Sequence, residues 1–236
     1  MTILSVAQDM SAYIGIDRPL ALVSSTEVEH QELVSVANRA ADYIARAYDW
    51  QKLSVVGTLT GDGTITSFDF PADFSKFTDD AGGEARILTP VMAGPMYRIQ
   101  DMNDWLEREV RQIGRVTYSW IMYGGQIHIK PALPAATDAS FFYQSANIIS
   151  DGGVTPTYKA AFTADSDVFR LDERMLMLCM LWMWRHSKQQ SYAEYMAEFE
   201  KRKAEITASD KGPRSISFAP SRLRQGIPIA YPFELS

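Results

Sequence analysis

The sequence has 236 residues, of which 46% are hydrophobic and 22% are charged, and its formal net charge is −6. These values are typical of a globular protein with one large domain or two smaller ones. The negative charge argues against a protein that grips nucleic acid phosphates over a broad surface.

Two helices are predicted before residue 50. Residues 3–14 place apolar side chains on one face, and Gly15 ends that helix. The start of the sequence lacks the basic and long apolar segments of a secretory signal. A second helix is predicted from 24–26, where two capping boxes are possible, to about Tyr48. Small side chains in the apolar stripe of this second helix allow another helix to approach closely. We therefore expect it to pair with the helix around Met175.

From Leu53 onward the apolar side chains recur at every second residue, which is typical of strands. Glycine turns predict two hairpins, namely Gly61-Asp62-Gly63 between 53–59 and 64–70, and Gly124-Gly125 between 116–123 and 126–130. The other strand candidates are 86–89, 96–99 and 139–148. Asp101 is the expected N-cap of a helix over about 102–112, with Trp105, Leu106, Val110 and Ile113 on its apolar side. Residues 53–159 are therefore predicted to form a small, mostly antiparallel β domain with one inserted helix, in which 149–159 begins a loop that continues to 170.

The most unusual stretch is the ten-residue apolar run 175–184, for which Asp172 is the expected N-cap. The run leaves no face of its helix polar, and each buried side chain is worth roughly 1.5–3 kcal/mol. One face is expected to pack in the chain's own core, through Leu171, Met175, Leu178, Cys179 and Trp182. The outward face is expected to contact another subunit, through Met177, Met180, Leu181 and Trp184. The alternative is a helix central to one large core, without subunit contact.

A capping box at Ser191 and Glu194 predicts a break, followed by an amphipathic helix over 192–209. Residues 1–52 and 160–210 are therefore predicted to form one helical bundle domain. The fold class expected is α+β, with a helical bundle formed by the N- and C-terminal helices, an inserted antiparallel β domain and an extended C-terminal arm.

The arm, residues 211–236, contains four prolines and no helical pattern. Its charges are Lys211, Arg214, Arg222 and Arg224 against Glu234, which gives +3 and leaves −9 for the rest of the chain. Apolar side chains alternate with other residues from Ile227 to Leu235, as in a strand. A strand pattern without a partner predicts an arm that docks on another protein. The alternative is a terminus that folds back on its own domain or stays disordered.

Side chains suited to catalysis are few. The three histidines, His30, His128 and His186, fit no metal-site spacing, and Cys179 lies in the apolar run, where an inert thiol is expected. Carboxylate pairs occur at Asp79-Asp80, Asp69/Asp73 and Asp165/Asp167. Each pair lies in a turn-rich stretch, where aspartate is favoured for local hydrogen bonding. We therefore expect no catalytic residue, no metal ion and no cofactor.

Several short motifs follow one another in a familiar order. They are Tyr48-Asp49-Trp50, Phe70-Pro71-Ala72-Asp73-Phe74, Ile129-Lys130-Pro131 followed by Pro134, Leu171-Asp172-Glu173-Arg174 and Trp182-Met183-Trp184-Arg185. This arrangement, which covers residues 1–210, resembles the head-to-tail connector, or portal adaptor, proteins of tailed bacteriophages. The resemblance implies a ring of twelve copies beneath the portal, with a C-terminal arm that reaches the portal and a β domain that faces the tail nozzle. DNA would pass through the central channel.

The predicted function is that of a structural, non-enzymatic virion protein, assembled in the host cytoplasm, that joins head to tail and leaves a channel for DNA. Its expected partners are further copies of itself, the portal protein and a tail nozzle or tail tube protein, with neither a membrane nor sequence-specific DNA binding. The residues expected to dock on the portal are Arg214, Ile216, Phe218, Leu223, Arg224, Ile227, Ile229, Tyr231 and Phe233. Two alternatives stay open: a virion-associated peptidoglycan hydrolase that uses Asp79 or Asp167, and a different head-completion or tail-terminator component.

Overall fold

The computed structural model describes residues 1–78, 85–111 and 117–210. In this part of the chain there are five α-helices and three small sheets, which confirms the predicted α+β class. The chain divides into two compact units. We call them the helical unit (described residues 1–55, 73–78 and 143–210) and the strand unit (described residues 56–72, 85–111 and 117–142).

The helices are α1 (Ile3–Ile14), α2 (Val28–Ala47), α3 (Met102–Val110), α4 (Glu173–Ser187) and α5 (Ala193–Asp210). The strands are β1 (Ser54–Thr60), β2 (Ser67–Asp69), β3 (Phe74–Phe77), β4 (Ile87–Leu88), β5 (Tyr97–Arg98), β6 (Ser119–Tyr123), β7 (Gln126–Lys130), β8 (Asp138–Ser145), β9 (Ile149–Ser150), β10 (Tyr158–Lys159) and β11 (Val168–Phe169). The chain passes from the helical unit into the strand unit within β1, contributes residues 73–78 with β3 to the helical unit, and finally returns to it within β8. Among the described helices, none is long and apolar enough to cross a membrane.

In the helical unit, α4 packs against α1, α2 and α5, so the predicted pairing of the second helix with the apolar helix is confirmed. Helix α1 ends as predicted at Gly15, which adopts the left-handed conformation with φ 74°. Helix α2 begins at Val28, after the predicted start, and its N-cap Glu27 makes no side-chain capping bond. The predicted capping boxes do not form there. Instead the Ser25 hydroxyl accepts a hydrogen bond from the Glu27 amide and lies 2.8 Å from Nδ1 of His30.

The segment from 149 to 170, predicted as a loop, contains a small sheet in the order β10-β9-β11. Each of its strands is only two residues long, so the sequence offers no periodicity from which to predict it. Aspartates hold its connections in place. The Asp165 carboxylate accepts hydrogen bonds from the amides of Leu22 and Val23, at 3.1 and 2.7 Å, and thereby fixes the loop before α2.

In the strand unit, one sheet has the order β2-β7-β6-β5. The predicted hairpin of β6 and β7 is confirmed, with Gly124 and Gly125 at φ 62° and 78° in its turn. The predicted hairpin across Gly61-Asp62-Gly63 is wrong, because β1 neighbours β8 whereas β2 pairs with β7. The amide of Gly61 donates to the carbonyl of Thr137 at 2.8 Å, and a Cβ on Gly61 would lie 2.4 Å from that of Leu133. This glycine therefore permits close approach of the segment before β8.

Helix α3 begins as predicted at Asp101, whose carboxylate accepts a hydrogen bond from the Asn103 amide at 2.7 Å. Of the side chains predicted for its apolar side, Trp105 is buried, but Leu106 and Val110 are exposed. The fourth, Ile113, lies outside the described residues. Two faces of this helix therefore carry apolar side chains, and one of them is open to contact.

Candidate functional site

The side chains of α4 predicted to face another subunit are mostly buried in their own chain. Met180, Leu181 and Trp184 expose 0%, 1% and 5% of their surfaces, and Met177 is partly buried. Three helices pack around α4. Met180, Leu181 and Trp184 therefore do not have the outward orientation that the sequence predicts. Contact between copies through α4 stays a prediction, and Met177 is the member of the set with accessible surface.

Of the side chains expected in the chain's own core, Leu171, Met175, Leu178 and Cys179 are buried there. Trp182 is only partly buried. Its ring lies against Tyr43 of α2 and Phe199 of α5, with centroid distances of 6.1 and 6.5 Å. Helical spacing assigns side chains to faces, but it does not tell which face a neighbouring helix covers.

A cleft of about 850 Å³ lies in the helical unit, between α1 and the first turns of α4. We call it the α1 cleft, and its apolar lining comes from Val6, Ala12, Tyr13, Ile16 and Met177. The sequence pattern does not predict this cleft. The signal available was weak, because Asp9 and Tyr13 stand four residues apart on α1, off the face that enters the core.

Four carboxylates also line the α1 cleft, and two of them already have partners. Asp172 accepts hydrogen bonds from the Met175 amide at 2.7 Å and from Arg202 at 2.8 Å, and Glu173 pairs with the amino group of Met1. The other two, Asp9 and Asp17, are exposed and make no hydrogen bond or ion pair within the described residues. The cleft therefore combines apolar walls with two available negative charges.

A smaller cavity of about 310 Å³ lies where α5 ends, and Ile206 and Asp210 line it. The Asp210 carboxylate accepts a hydrogen bond from the amide of Gln51 at 3.0 Å. Asp172 and Glu173 line both this cavity and the α1 cleft. Asp210, the last described residue of the chain, thus lines a cavity that shares two lining residues with the α1 cleft.

The carboxylate pairs considered for catalysis serve as local hydrogen-bond acceptors. Asp69 accepts from the amide side chain of Gln126 at 2.8 Å, and Asp73 accepts from the hydroxyls of Tyr143 and Ser145 at 2.7 and 2.6 Å. Burial alone would raise the pKa of Asp73, but the two hydroxyl donors, its own backbone amide and the charge of Arg170 together outweigh burial and lower that pKa. A lowered pKa keeps the carboxylate ionised, which does not suit a general acid. The pair Asp79-Asp80 lies outside the described residues.

The histidines and the cysteine occupy separate structural positions. His128 lies 2.9 Å from the Ser67 hydroxyl and stacks on Tyr123, whereas His186 meets the edge of Tyr192. Burial raises the pKa of the Cys179 thiol to about 12, which disfavours the thiolate. Over 1–78, 85–111 and 117–210, no group of three or more potential metal ligands comes together. The geometry of the described residues offers surfaces for binding.

The arm residues predicted to dock on the portal all lie outside the described residues. They are Arg214, Ile216, Phe218, Leu223, Arg224, Ile227, Ile229, Tyr231 and Phe233. Their role therefore stays a prediction, and the described structure contributes the position of Asp210, from which the arm begins.

Comparison with protein families gives a match over most of the chain. A family model described as SU10 adaptor protein matches residues 1–224. The matched region contains the described parts of both units and the first part of the arm. No curated protein matches the sequence. The resemblance predicted from the short motifs is confirmed by the family match.

Proposed function

Because the chain belongs to the SU10 adaptor protein family, we propose that it is a structural adaptor between the head and the tail of a phage particle. In this proposal twelve copies form a ring beneath the portal and hold the tail below. The ring leaves a channel through which DNA passes on ejection. The observation that carries the proposal is the family match, which spans residues 1–224.

The distribution of charge supports a channel that does not retain DNA. The chain has a net charge of −6, and subtracting the +3 of residues 211–236 gives −9 for residues 1–210. A negative surface repels phosphates, so DNA can slide past it without binding. The proposal therefore includes no sequence-specific contact with DNA.

The arm is proposed to dock on the portal. Its basic stem and its alternating apolar side chains suit an extended segment added to the edge or groove of a partner. The nine arm residues predicted above are the proposed contacts.

The strand unit is proposed to contact the tail nozzle or tail tube protein. Support comes from the exposed side chains of Met102, Leu106 and Val110, which follow one another at intervals of four residues along α3. Side chains at this spacing lie on the same face of a helix. Exposed apolar faces of this kind commonly mark protein interfaces.

Several apolar side chains of the helical unit are accessible for contacts between copies. Tyr13, Val28, Tyr43 and Met196 are exposed, and Met177 is partly buried. Tyr43 and Met196 belong to α2 and α5, the two helices that flank α4. We propose that these helices, rather than the buried side of α4, meet the next copy of the ring.

Electron microscopy of the protein with and without the portal protein tests the proposal. The expected image is a twelve-membered ring bound to the portal, with a continuous channel. Binding to another tail component but not to the portal would instead favour the head-completion or tail-terminator alternative. Degradation of peptidoglycan by the purified protein would favour the hydrolase alternative.

A further inference from the structure

We infer that the α1 cleft binds a second copy of this chain, through the surface of α2 and α5 that carries Arg39, Tyr43 and Met196. We call this surface the α2–α5 face. The inference rests on the proposed ring, and it names the surface on the next copy that α2 and α5 meet. Both surfaces belong to the helical unit.

The two surfaces lie on different sides of α4. Met177 of α4 lines the α1 cleft. Trp182 of α4 instead lies against Tyr43 of α2 and Phe199 of α5. An α-helix turns by about 100° per residue, so the directions of Met177 and Trp182 differ by roughly 140°. A ring of identical copies requires each copy to present two different surfaces at once. The α1 cleft and the α2–α5 face can therefore each contact a different neighbour.

The α2–α5 face carries an available positive charge. Arg39 is exposed, and it makes no hydrogen bond or ion pair within the described residues. It stands four residues before Tyr43, so the two side chains lie on the same side of α2. Asp42 and Arg46, the charged side chains that follow on α2, form an ion pair with each other at 2.8 Å. The guanidinium of Arg39 is therefore free to pair with a carboxylate of another chain.

The α1 cleft carries the opposite available charge. Asp9 and Asp17 are exposed there and have no partner within the described residues. Arg18 also lines the cleft, but it donates a hydrogen bond to the Gln8 side chain at 3.0 Å. Arg174 lines a second groove as well, and two glutamates of α5 line that groove. The cleft therefore offers two carboxylates to a cation of the next copy.

Apolar side chains accompany these charges on both surfaces. Tyr43 and Met196 expose 42% and 40% of their surfaces, although each lies on a helix that packs against α4. Glu200, one turn after Met196, already forms an ion pair with Lys203. The α1 cleft has a volume of about 850 Å³ and offers Met177 in its wall. Burial of the apolar side chains favours association, and the charges select which surfaces meet.

Charge favours contact between unlike surfaces over contact between like ones. Two α1 clefts face to face would bring together the available aspartates of both copies, and two α2–α5 faces would bring together two Arg39 side chains. Like charges brought together at an interface disfavour binding. Contact between the cleft and the α2–α5 face opposes unlike charges, and its repetition from copy to copy produces a ring when the rotation closes.

Cross-linking between two cysteine variants of the full-length chain tests the inference. Ala12→Cys lies in the α1 cleft, Ser35→Cys lies four residues before Arg39 on α2, and both native side chains are exposed. The two variants are mixed, so a bismaleimide bridge between the two sites joins separate chains. The native Cys179 is buried and does not compete for the reagent. The control mixes Ser35→Cys with Val154→Cys, because Val154 is fully exposed and does not line the cleft.

We expect Ala12→Cys and Ser35→Cys to cross-link at least tenfold faster than the control pair. Equal rates would overturn the inference, as would faster bridges between two chains of the same variant, which indicate contact between like surfaces. Rings seen by electron microscopy together with equal rates would support the proposed assembly and reject this contact. The cross-link does not require the portal, so failure of the proposed docking leaves this measurement unaffected.

Charge reversal tests the electrostatic part. Arg39→Glu in the Ser35→Cys chain is expected to slow cross-linking about threefold or more at low salt, and Asp9→Lys in the Ala12→Cys chain should do the same. When the two reversed chains are mixed, the signs are exchanged and the rate should return to within about twofold of the original. A folding defect in one chain could not be restored by the other.

Lys52→Glu in the Ser35→Cys chain is the matched control for Arg39→Glu. It reverses an exposed cation that lies outside the α2–α5 face, and it should leave the cross-linking rate unchanged. Equal slowing by Lys52→Glu and Arg39→Glu would overturn the inference, and so would a mixture of the two reversed chains that stays slow.

Discussion

The ammonium group of Lys159 lies 2.7 Å from the carboxylate of Asp167, whose side chain is completely buried. Asp167 also accepts hydrogen bonds from the amides of Thr163 and Ala164, at 2.7 and 2.9 Å. Burial by itself would raise the pKa of Asp167, but Lys159 and the two amides outweigh it and lower that pKa. The charged form of Asp167 thus stabilises the helical unit.

The first prediction concerns the pH dependence of this stabilisation. An aspartate whose pKa is lower in the folded chain stabilises it above the unfolded pKa of about 3.9, and this contribution is lost as the pH falls further. Asp167→Asn should lower the free energy of unfolding at pH 7 by about 3 kcal/mol, because it leaves Lys159 without its buried partner. Urea denaturation at pH 7 and near pH 2 checks this. A difference between wild type and variant that stays constant at both pH values would contradict it.

The second prediction compares the contributions of a buried and a partly buried side chain of α4 to stability. Because Trp184 is buried against its own chain, Trp184→Ala should lower the free energy of unfolding by about 3–5 kcal/mol. Met177 is only partly buried, so Met177→Ala should cost less, about 1 kcal/mol. Thermal denaturation of both variants provides the measurement. Equal losses of stability would show that the two side chains do not differ in burial.

The third prediction concerns the N-terminus of α4. Asp172 caps this helix through the Met175 amide and also accepts from Arg202 of α5. Asp172→Ala removes both interactions and should cost about 1–2 kcal/mol, most of it from the lost cap. Asp172→Ser keeps a capping oxygen but not the ion pair, so it should recover more than half of the loss. If the serine variant is as unstable as the alanine variant, the cap is not the main contribution.

The fourth prediction tests the close approach at Gly61. A Cβ there would meet the Leu133 side chain at 2.4 Å and two backbone oxygens at 2.7 Å, so Gly61→Ala requires the backbone to shift. We expect a loss of about 2–3 kcal/mol in the free energy of unfolding. Gly94→Ala is the matched control, since a Cβ on Gly94 meets nothing within 4 Å, and it should change stability by less than about 1 kcal/mol. Equal tolerance of both substitutions, measured by urea denaturation, would refute the close packing.

The fifth prediction concerns the arm. Deletion of residues 211–236 should leave a folded protein with an unchanged melting temperature that no longer binds the portal. A full-length variant with the same arm residues in scrambled order keeps the charge but not the alternation of apolar side chains. It should bind the portal at least tenfold more weakly than wild type in a pull-down titration. Undiminished binding by the deletion variant would reject the docking role of the arm.

Local signals predicted much of the fold. The aspartate caps of α3 and α4, Gly15 after α1, and the Gly124-Gly125 turn each act over four residues or fewer, so the sequence reveals them directly. The prediction of a hairpin at Gly61 is wrong because this glycine instead permits the close approach of a segment more than seventy residues later in the chain, around Leu133 to Thr137. Pattern alone does not distinguish a turn glycine from a contact glycine.

The candidate interaction surfaces were harder to predict for the same reason. An all-apolar helix has no polar face to mark its exposed side, so spacing could not tell that Trp184 is buried and Trp182 is more open. The α1 cleft depends on side chains from α1 and α4, which are distant in sequence. In the sequence, nothing distinguishes Asp9 and Asp17 from other surface carboxylates. Only the fold places them in one cleft with Glu173.

The insertion of the strand unit within the helical unit has a consequence for synthesis of the protein. Helix α2 finds its partner α4 only after residues 48–172 have left the ribosome, and at about 5–20 residues per second this takes roughly 6–25 seconds. During that interval the apolar stripe of α2 has no native cover. Yield in a heterologous host should therefore depend on chaperones that shield nascent helices.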